Sequence, residues 1–425
     1  LPGQSAQVDW QLRGILQSTA VTATYTVSVN APGGVALQCG SAVFLPPVNL
    51  EPCFEPGVST AGTDFYLAFL PDVVGAAAEF LRVFIAAPRQ SRVRVTDLQS
   101  GVETVVDVAP GSLRMVQLDA GLNDYLPETP VLRGVHITSD EAIHVFTGNY
   151  RDRHSDGMAV LPTNALGTRH VTAGYNWGEA YEHFTVLATE DATDVTITPH
   201  AFTSSGRPDA LPFTLTLDRG EVYYVKALLA GVGGSLTGSI VASTKPVAVF
   251  SGAESGWIPE ITDPNYGFLN PHADQMPAVR WLGTEYVAVP FRSRRRGDTY
   301  RIVATEDNTT VTRNGTMQRT LTRAGDWMED VLTDVTHIQS DHPVMVAQYA
   351  NSARWDADDN EYGDASMLVL VPVDRHMSCH YFPAGMLEAD VSLLPNQAVR
   401  LEIGQWLQVG DTPALAVPSF TAECW

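Results

Sequence analysis

The chain has little of what nucleic-acid proteins, membrane proteins and most enzymes display. Lysine is nearly missing: of 425 residues only Lys226 and Lys245 carry it, and only four residues are cysteines. Basic residues number 26 against 48 acidic ones, for a formal net charge of −22. Such a surface repels phosphate backbones and excludes nucleic acid as a partner. No apolar run approaches the ~20 residues of a membrane helix. One of the longest, residues 74–85, is broken by Glu79 and Arg82, so no membrane span is expected. Catalytic signatures are missing too: there is no GxSxG elbow, no HExxH and no P-loop. The histidines are scattered, and His183, His337, His342 and His380 sit in or beside strand-like runs, where a hydrogen-bonded structural role is common. A carboxylate pair on a β scaffold would suffice to cleave a glycan, but nothing singles out one pair among so many acids. The chain is read as non-enzymatic.

What is present is repetition. Val186-Leu187-Ala188-Thr189-Glu190-Asp191 followed by Thr193-Asp194-Val195-Thr196-Ile197 returns as Ile302-Val303-Ala304-Thr305-Glu306-Asp307 and Thr309-Thr310-Val311-Thr312. A looser copy runs from Phe84-Ile85-Ala86-Ala87 to Arg92-Val93-Arg94-Val95-Thr96. Three further landmarks follow each copy in the same order. They are a glycine turn (Gly111, Gly220, Gly325), a Ser-led strand (from Ser139, Ser243 and Ser340) and an apolar-Pro strand (Pro162, Pro277, Pro372). Repeats of this size mean tandem modules, and tandem modules favour broad surface over a single catalytic pocket. With 44% hydrophobic and 17% charged residues, the modules have ample material for packed cores.

Almost every ordered-looking segment alternates with period two. Ala23, Tyr25, Val27 and Val29 alternate with threonines and Ser28 before Pro32-Gly33-Gly34 turns the chain into residues 35–45. Residues 73–82 and 164–168 are the few places that suggest a short helix or turn. The fold expected is all-β: three tandem antiparallel β-sandwich-like modules with β-strand flanking segments. The divisions expected are an N-terminal hairpin segment at 1–62, modules at 63–178, 179–296 and 297–385, and a C-terminal strand segment at 386–425. The first strand of one module could complete the sheet of its neighbour. The flanks would cap the row, as ends of repeat arrays do, or donate a strand to another subunit. Cys39 and Cys53 lie near the start and Cys379 and Cys424 near the end. Neither pair has zinc or redox spacing, so local disulfides in an oxidising, extracellular or cell-surface setting are expected, without the pairing being fixed. The start at Leu1 points to a leader removed before this numbering.

The modules as a set resemble the N-terminal region of the IgG Fc-binding protein family, which also occurs in bacterial secreted and surface proteins. The likeness is carried by Asp64-Phe65-Tyr66-Leu67-Ala68-Phe69-Leu70-Pro71, by both Ala-Thr-Glu-Asp copies, and by Ser243-Thr244-Lys245-Pro246-Val247-Ala248-Val249-Phe250-Ser251-Gly252. Asp274-Gln275-Met276-Pro277 and Trp281-Leu282-Gly283-Thr284-Glu285-Tyr286 complete it, over residues 64–385. These are strand-and-turn signatures, so the resemblance implies an extracellular, non-enzymatic binding or adhesive module with no active site to carry over. The antibody binding in the family's name belongs to an animal mucosal member and is not transferred.

The loops after the Ser-led strands are acidic. Asp356, Asp358 and Asn360 alternate, with Asp364 further on, in the manner of an oxygen-rich calcium loop. Glu361 stands where such loops need glycine, and no carboxylate closes the loop at its end, so a solvated acidic loop is the competing reading. Asp152, His154 and Asp156, and Glu260, Asp263 and Asp274, are the corresponding acidic stretches. Asp156, Asp274 and Asp364, each shortly before a methionine, read as turn residues or caps for backbone N–H groups. Arg292, Arg294, Arg295 and Arg296 form a positive turn between Phe291 and Asp298 that could dock on acidic loops of another copy or on an anionic glycan. Asn308 and Asn314 match the N-glycosylation pattern and read equally as turn residues. Two partners are therefore expected: copies of the chain in a filament, tube or coat, or a glycan, mucin or host surface protein.

Overall fold

The computed structural model describes residues 27–30, 36–39, 60–72, 80–151, 154–177, 181–231, 233–260, 270–291, 295–352, 355 and 365–375. They fall into two compact units. The first contains a hairpin in which β1 (Val27–Asn30) pairs antiparallel with β2 (Ala36–Cys39), Val27 opposite Cys39. The alternation of Val27 and Val29 with polar neighbours is what such a pair requires. Cys53, Cys379 and Cys424 lie outside the described residues.

The second unit contains three antiparallel sheets. The first is built from β3 (Gly62–Leu67), β4 (Phe80–Ala87), β5 (Ser91–Asp97), β6 (Glu103–Val108) and β7 (Ser112–Leu118). After β8 (Val131–Leu132), which joins the next sheet, come β9 (Val135–Arg151), β10 (His154–Asp156) and β11 (Ala159–Val160). The second has β12 (Gly167–Val171), β13 (Glu182–Ala188), β14 (Thr193–Thr198), β15 (Phe213–Leu217), β16 (Glu221–Lys226), β17 (Ile240–Gly256) and β18 (Asn270–Gln275). The third has β19 (Gly283–Ala288), β20 (Asp298–Ala304), β21 (Thr309–Arg313), β22 (Met317–Leu321), β23 (Trp327–Leu332), β24 (Thr336–Ala350) and β25 (Ser366–Val369). The main paths run β6-β5-β9-β4-β7, β15-β14-β17-β13-β16 and β22-β21-β24-β20-β23, one topology three times.

A single long strand serves both layers of each module. The first part of β9 pairs with β3 and β5, and its second part pairs with β4, β10 and β11. The strand bends between the two parts, and the Ser landmark makes the bend. Ser139 Oγ donates to the Glu141 carbonyl at 2.7 Å, Ser243 Oγ to Lys245 at 2.6 Å and Ser340 Oγ to His342 at 2.7 Å. The Thr-Glu-Asp landmark closes the neighbouring turn. Thr189 Oγ1 donates to the Pro246 carbonyl and Thr305 Oγ1 to Pro343, while Asp191 and Asp307 accept from the amides of Arg219 and Ala324. Gly111, Gly220 and Gly325 hold the turn into the fifth strand at φ of 67°, 84° and 89°, a region that suits glycine.

β12 and β19 hydrogen-bond to β17 and β24, so each strand after a junction belongs to the sheet ahead of it. Of the residues expected to form a short helix at 73–82, those that are described, from Phe80 on, begin β4. The run's apolar character comes from a strand buried along most of its length. The turn expected at 164–168 is a 3-10 turn at Thr163–Ala165, followed by β12.

Among the described residues three apolar clusters form the core, and the first two each cross a junction. The first module's cluster takes in Leu187, Val222, Tyr224 and Phe250 of the second, whose own cluster takes in Val303, Met345 and Tyr349 of the third. β13 and β20 are accordingly buried along their whole length, so that the polar residues they carry, Glu182 and Arg301 among them, lie inside the protein.

Candidate functional site

Polar chemistry inside the second unit gathers at the junctions. Between the second and third modules lies Arg301, a cation on β20 that is 4% exposed. Its Nη1 donates to Glu182 Oε1 at 3.0 Å, to the Gly174 carbonyl at 2.6 Å and to Thr237 Oγ1 at 2.9 Å, and its Nε to Glu329 Oε2 at 2.9 Å. The guanidinium lies 4.2 Å from the Tyr175 ring centroid and 4.3 Å from that of Trp327. Every contact is of the kind that lets a charge stay buried. This group fastens two modules together.

Two of the repeated aspartates also sit at junctions. Asp274 Oδ1 accepts from the Gln275 amide at 2.8 Å, and Oδ2 from Val369 of the third module at 2.9 Å. Asp156 accepts from the Gly157 amide at 2.8 Å, and the Ala273 amide of the second module adds to the donors facing it. Both therefore bind backbone N–H groups, and they reach into the next module rather than into a solvated loop. Register separates them: Asp156 opposes Asn149 and Asp274 opposes Ser251, positions two residues apart in the repeat. Burial pushes the Asp274 carboxyl up to about 8 and Asp156 well above its ordinary value, with Asp274 and Asp72 adding to the latter. Burial holds His272 down to about 3 and His183 well below the usual range. His183 Nδ1 meets Tyr224 Oη at 3.1 Å. A cavity of about 30 Å³ lined by Asn149, Asp156, His183 and His272 lies here. Among the described residues no group of three or more His, Cys, Asp or Glu could hold a metal ion.

A larger pocket, about 100 Å³, opens where all three modules meet. Each module's last strand runs into a proline or alanine and a 3-10 turn, at Thr163–Ala165, Val279–Trp281 and Val373–Arg375. The final residue of each turn, Ala165, Trp281 and Arg375, lines this one pocket. Leu161, Leu282 and Leu370 make its walls apolar. Cross-module hydrogen bonds hold the shape: Trp281 Nε1 donates to the Ala165 carbonyl at 2.6 Å, and the Leu161 amide to Gln275 Oε1 at 2.7 Å. Gln275 is 3% exposed, and among the described residues its Nε2 has no hydrogen-bond acceptor. The Arg280 and Arg375 guanidinium groups lie 5.0 and 5.7 Å from the Trp281 ring centroid.

Of the arginine turn, Arg292 and Arg294 lie outside the described residues, while Arg295 and Arg296 are exposed. Arg296 sits 5.8 Å from the Trp355 ring centroid, and the Phe291 amide donates to Asp298 Oδ2 at 2.6 Å, closing the loop. Asp356, Asp358, Asn360 and Asp364 lie outside the described residues, as does His380. Asn308 and Asn314 take left-handed φ of 58° and 47°, as turn residues do. Sequence reasoning missed Arg301, Glu182, Gln275 and Arg375. Arg301 had a signal, a charged residue set directly between Tyr300 and Ile302.

The family model described as IgGFc binding protein matches residues 156–401, more than half of the chain. The match begins at the end of the first module, yet that module shares the topology of the other two. No curated protein matches the chain. Among solved structures, one described as a Ca²⁺-stabilised adhesin with which an Antarctic bacterium reaches out and binds ice is 13% identical. It covers 82% of this chain and 80% of its own, with a TM-score of 0.13. A second, from a 1.5-MDa bacterial ice-binding adhesin and described for host cell surface retention, is 11% identical. It covers 69% of this chain and 90% of its own, with a TM-score of 0.11. At such scores neither bears on fold or function.

Proposed function

This chain belongs to the IgGFc binding protein family, and from that premise we propose that it is a non-enzymatic extracellular binding protein that engages a surface glycoprotein. The observation that carries the reading is the pocket shared by three modules. Its walls come from equivalent turns, and it is lined by apolar side chains with a few polar groups, as recognition sites are. The charged groups at the junctions support it, because they are engaged in fastening the modules rather than arranged around a reacting centre. The test is interferometry of the purified chain against immobilised mucins, matrix proteins and glycans. Saturable binding to at least one is expected; a monodisperse protein that binds none of them sinks the reading.

One observation favours a second reading, self-assembly. β16 of the second module carries β8 on its outer side, whereas β7, the same strand of the first module, has no strand beyond it among the described residues. Met115 on β7 and Phe80 on the adjoining β4 are 44% and 42% exposed. An open edge of this kind accepts a strand from another copy. Light scattering would show mass rising with concentration, and Met115→Lys would abolish the rise. A mass that stays monomeric at every concentration removes this reading and leaves the first standing.

A further inference from the structure

We propose that the three-module pocket binds a small branched aliphatic carboxylate, its apolar end among Leu161, Trp281 and Leu370 and its carboxylate on Arg375. The inference rests on the reading of the chain as a binding protein and supplies the chemistry of its ligand.

Size comes first. An apolar cavity of ~150 Å³ takes up benzene, so one of about 100 Å³ suits a branched chain of about four carbons better than an aromatic ring. Valine and leucine side chains have that bulk. Polarity fixes the other end. Arg375, in the same lining, supplies a guanidinium, whose planar fork matches a carboxylate. Its present partner, Asp374 at 3.5 Å, is 64% exposed in its side chain and so a weak competitor. Asp274 also lines the pocket, but burial keeps its carboxyl protonated at neutral pH, so it adds little repulsion.

Two sources share this chemistry: a free short-chain acid, and the C-terminal carboxylate of a peptide ending in valine. Calorimetric titration separates them with 3-methylbutanoate, 3-methylbutanamide, and acetyl-Gly-Gly-Val as acid and as amide. Millimolar, saturable binding of the free acid is expected, with its amide about tenfold weaker. The peptide acid binding more tightly than 3-methylbutanoate identifies a chain terminus as ligand; the reverse order identifies the free acid. Arg375→Gln should bring each acid down to the level of its amide without changing the melting temperature. Ala165→Leu, which fills the pocket, should abolish binding of all four. No saturable binding by either acid overturns the proposal, as do acids and amides that bind alike and ignore Arg375→Gln. Surface-glycoprotein binding that persists while the pocket takes up none of these compounds would sink this inference alone. Uptake of the acids by a chain that binds no glycoprotein would sink only the broader reading.

Discussion

Replacing Arg301 by alanine would strand Glu182, whose side chain is 1% exposed, without its buried counter-ion. Breaking a buried pair from one side costs ~3–5 kcal/mol, and urea denaturation of Arg301→Ala should show a loss of that size. The double replacement Arg301→Met with Glu182→Leu should recover most of it, since a packed apolar pair can replace a buried ionic one. Asp274 gives a pH signature. Folding raises its carboxyl from 3.8 to about 8, so the folded chain keeps a proton that the unfolded chain has shed. That contribution is whole below the unfolded value and is lost as pH climbs to the folded one. Buried His272 and His144, lowered from 6.5 to about 3 and about 4, behave oppositely: their contribution is whole above 6.5 and lost as pH falls. Above pH 6.5 the carboxyls dominate, and stability should drop as pH climbs to about 8, with a limiting slope of about 1.4 kcal/mol per pH unit for Asp274. Asp274→Asn should make the drop shallower, with Asp156 supplying what remains. At this scale much was legible. The repeated serine, the Thr-Glu-Asp triplets and the turn glycines each proved to make one specific hydrogen bond or turn. Arg301 and Gln275 were not legible, because their roles depend on atoms from other modules.

Strands explain what alternation can and cannot reveal. β5 and β14 alternate buried with exposed or half-buried positions, and their sequences do the same. β13 and β20 have no outward face, because the neighbouring module covers it, and period two fades where both sides are dry. Leu187 shows the effect: it lies on the second module's β13 but packs in the first module's cluster. Leu187→Ala should cost ~2–5 kcal/mol, measured by chemical denaturation. The boundaries read from sequence follow the repeat landmarks, whereas hydrogen bonding sends β12 and β19 forward to β17 and β24. That pairing spans a long stretch of chain, which a local pattern cannot show. Junctions also rest on glycines in contact. The Gly134 amide donates to the Gly220 carbonyl at 2.9 Å, and a Cβ on Gly325, at φ 89°, would run into the carbonyl of Gly238. Gly206 has a similar φ of 84° but open space around it. Gly206→Ala should therefore lose only the ~1–2 kcal/mol of the backbone conformation. Gly325→Ala should lose more and split the calorimetric unfolding peak, as the third module separates from the second.

In the whole molecule, apolar clusters run through both junctions and a buried ion pair through the second, so the three sheets should unfold as one cooperative body. Scanning calorimetry of the wild-type chain should give a single peak for the second unit. The sequence announced three copies of one sheet, and the structure agrees. The pocket could not be read from it, because its three walls stand far apart along the chain and meet only through docking. One asymmetry remains. Between the fifth and sixth strands the first module inserts residues 119–134, which supply β8 to its successor. The second inserts residues 227–239, whose Ser235 and Thr237 bind Glu182 beside Arg301. The third has only residues 333–335 there, with Val335 61% exposed. Gene duplication could lengthen this row by copying either of the first two units, each of which brings its own clasp. A copy of the last would bring no inserted clasp of this kind, since three residues alone occupy that place.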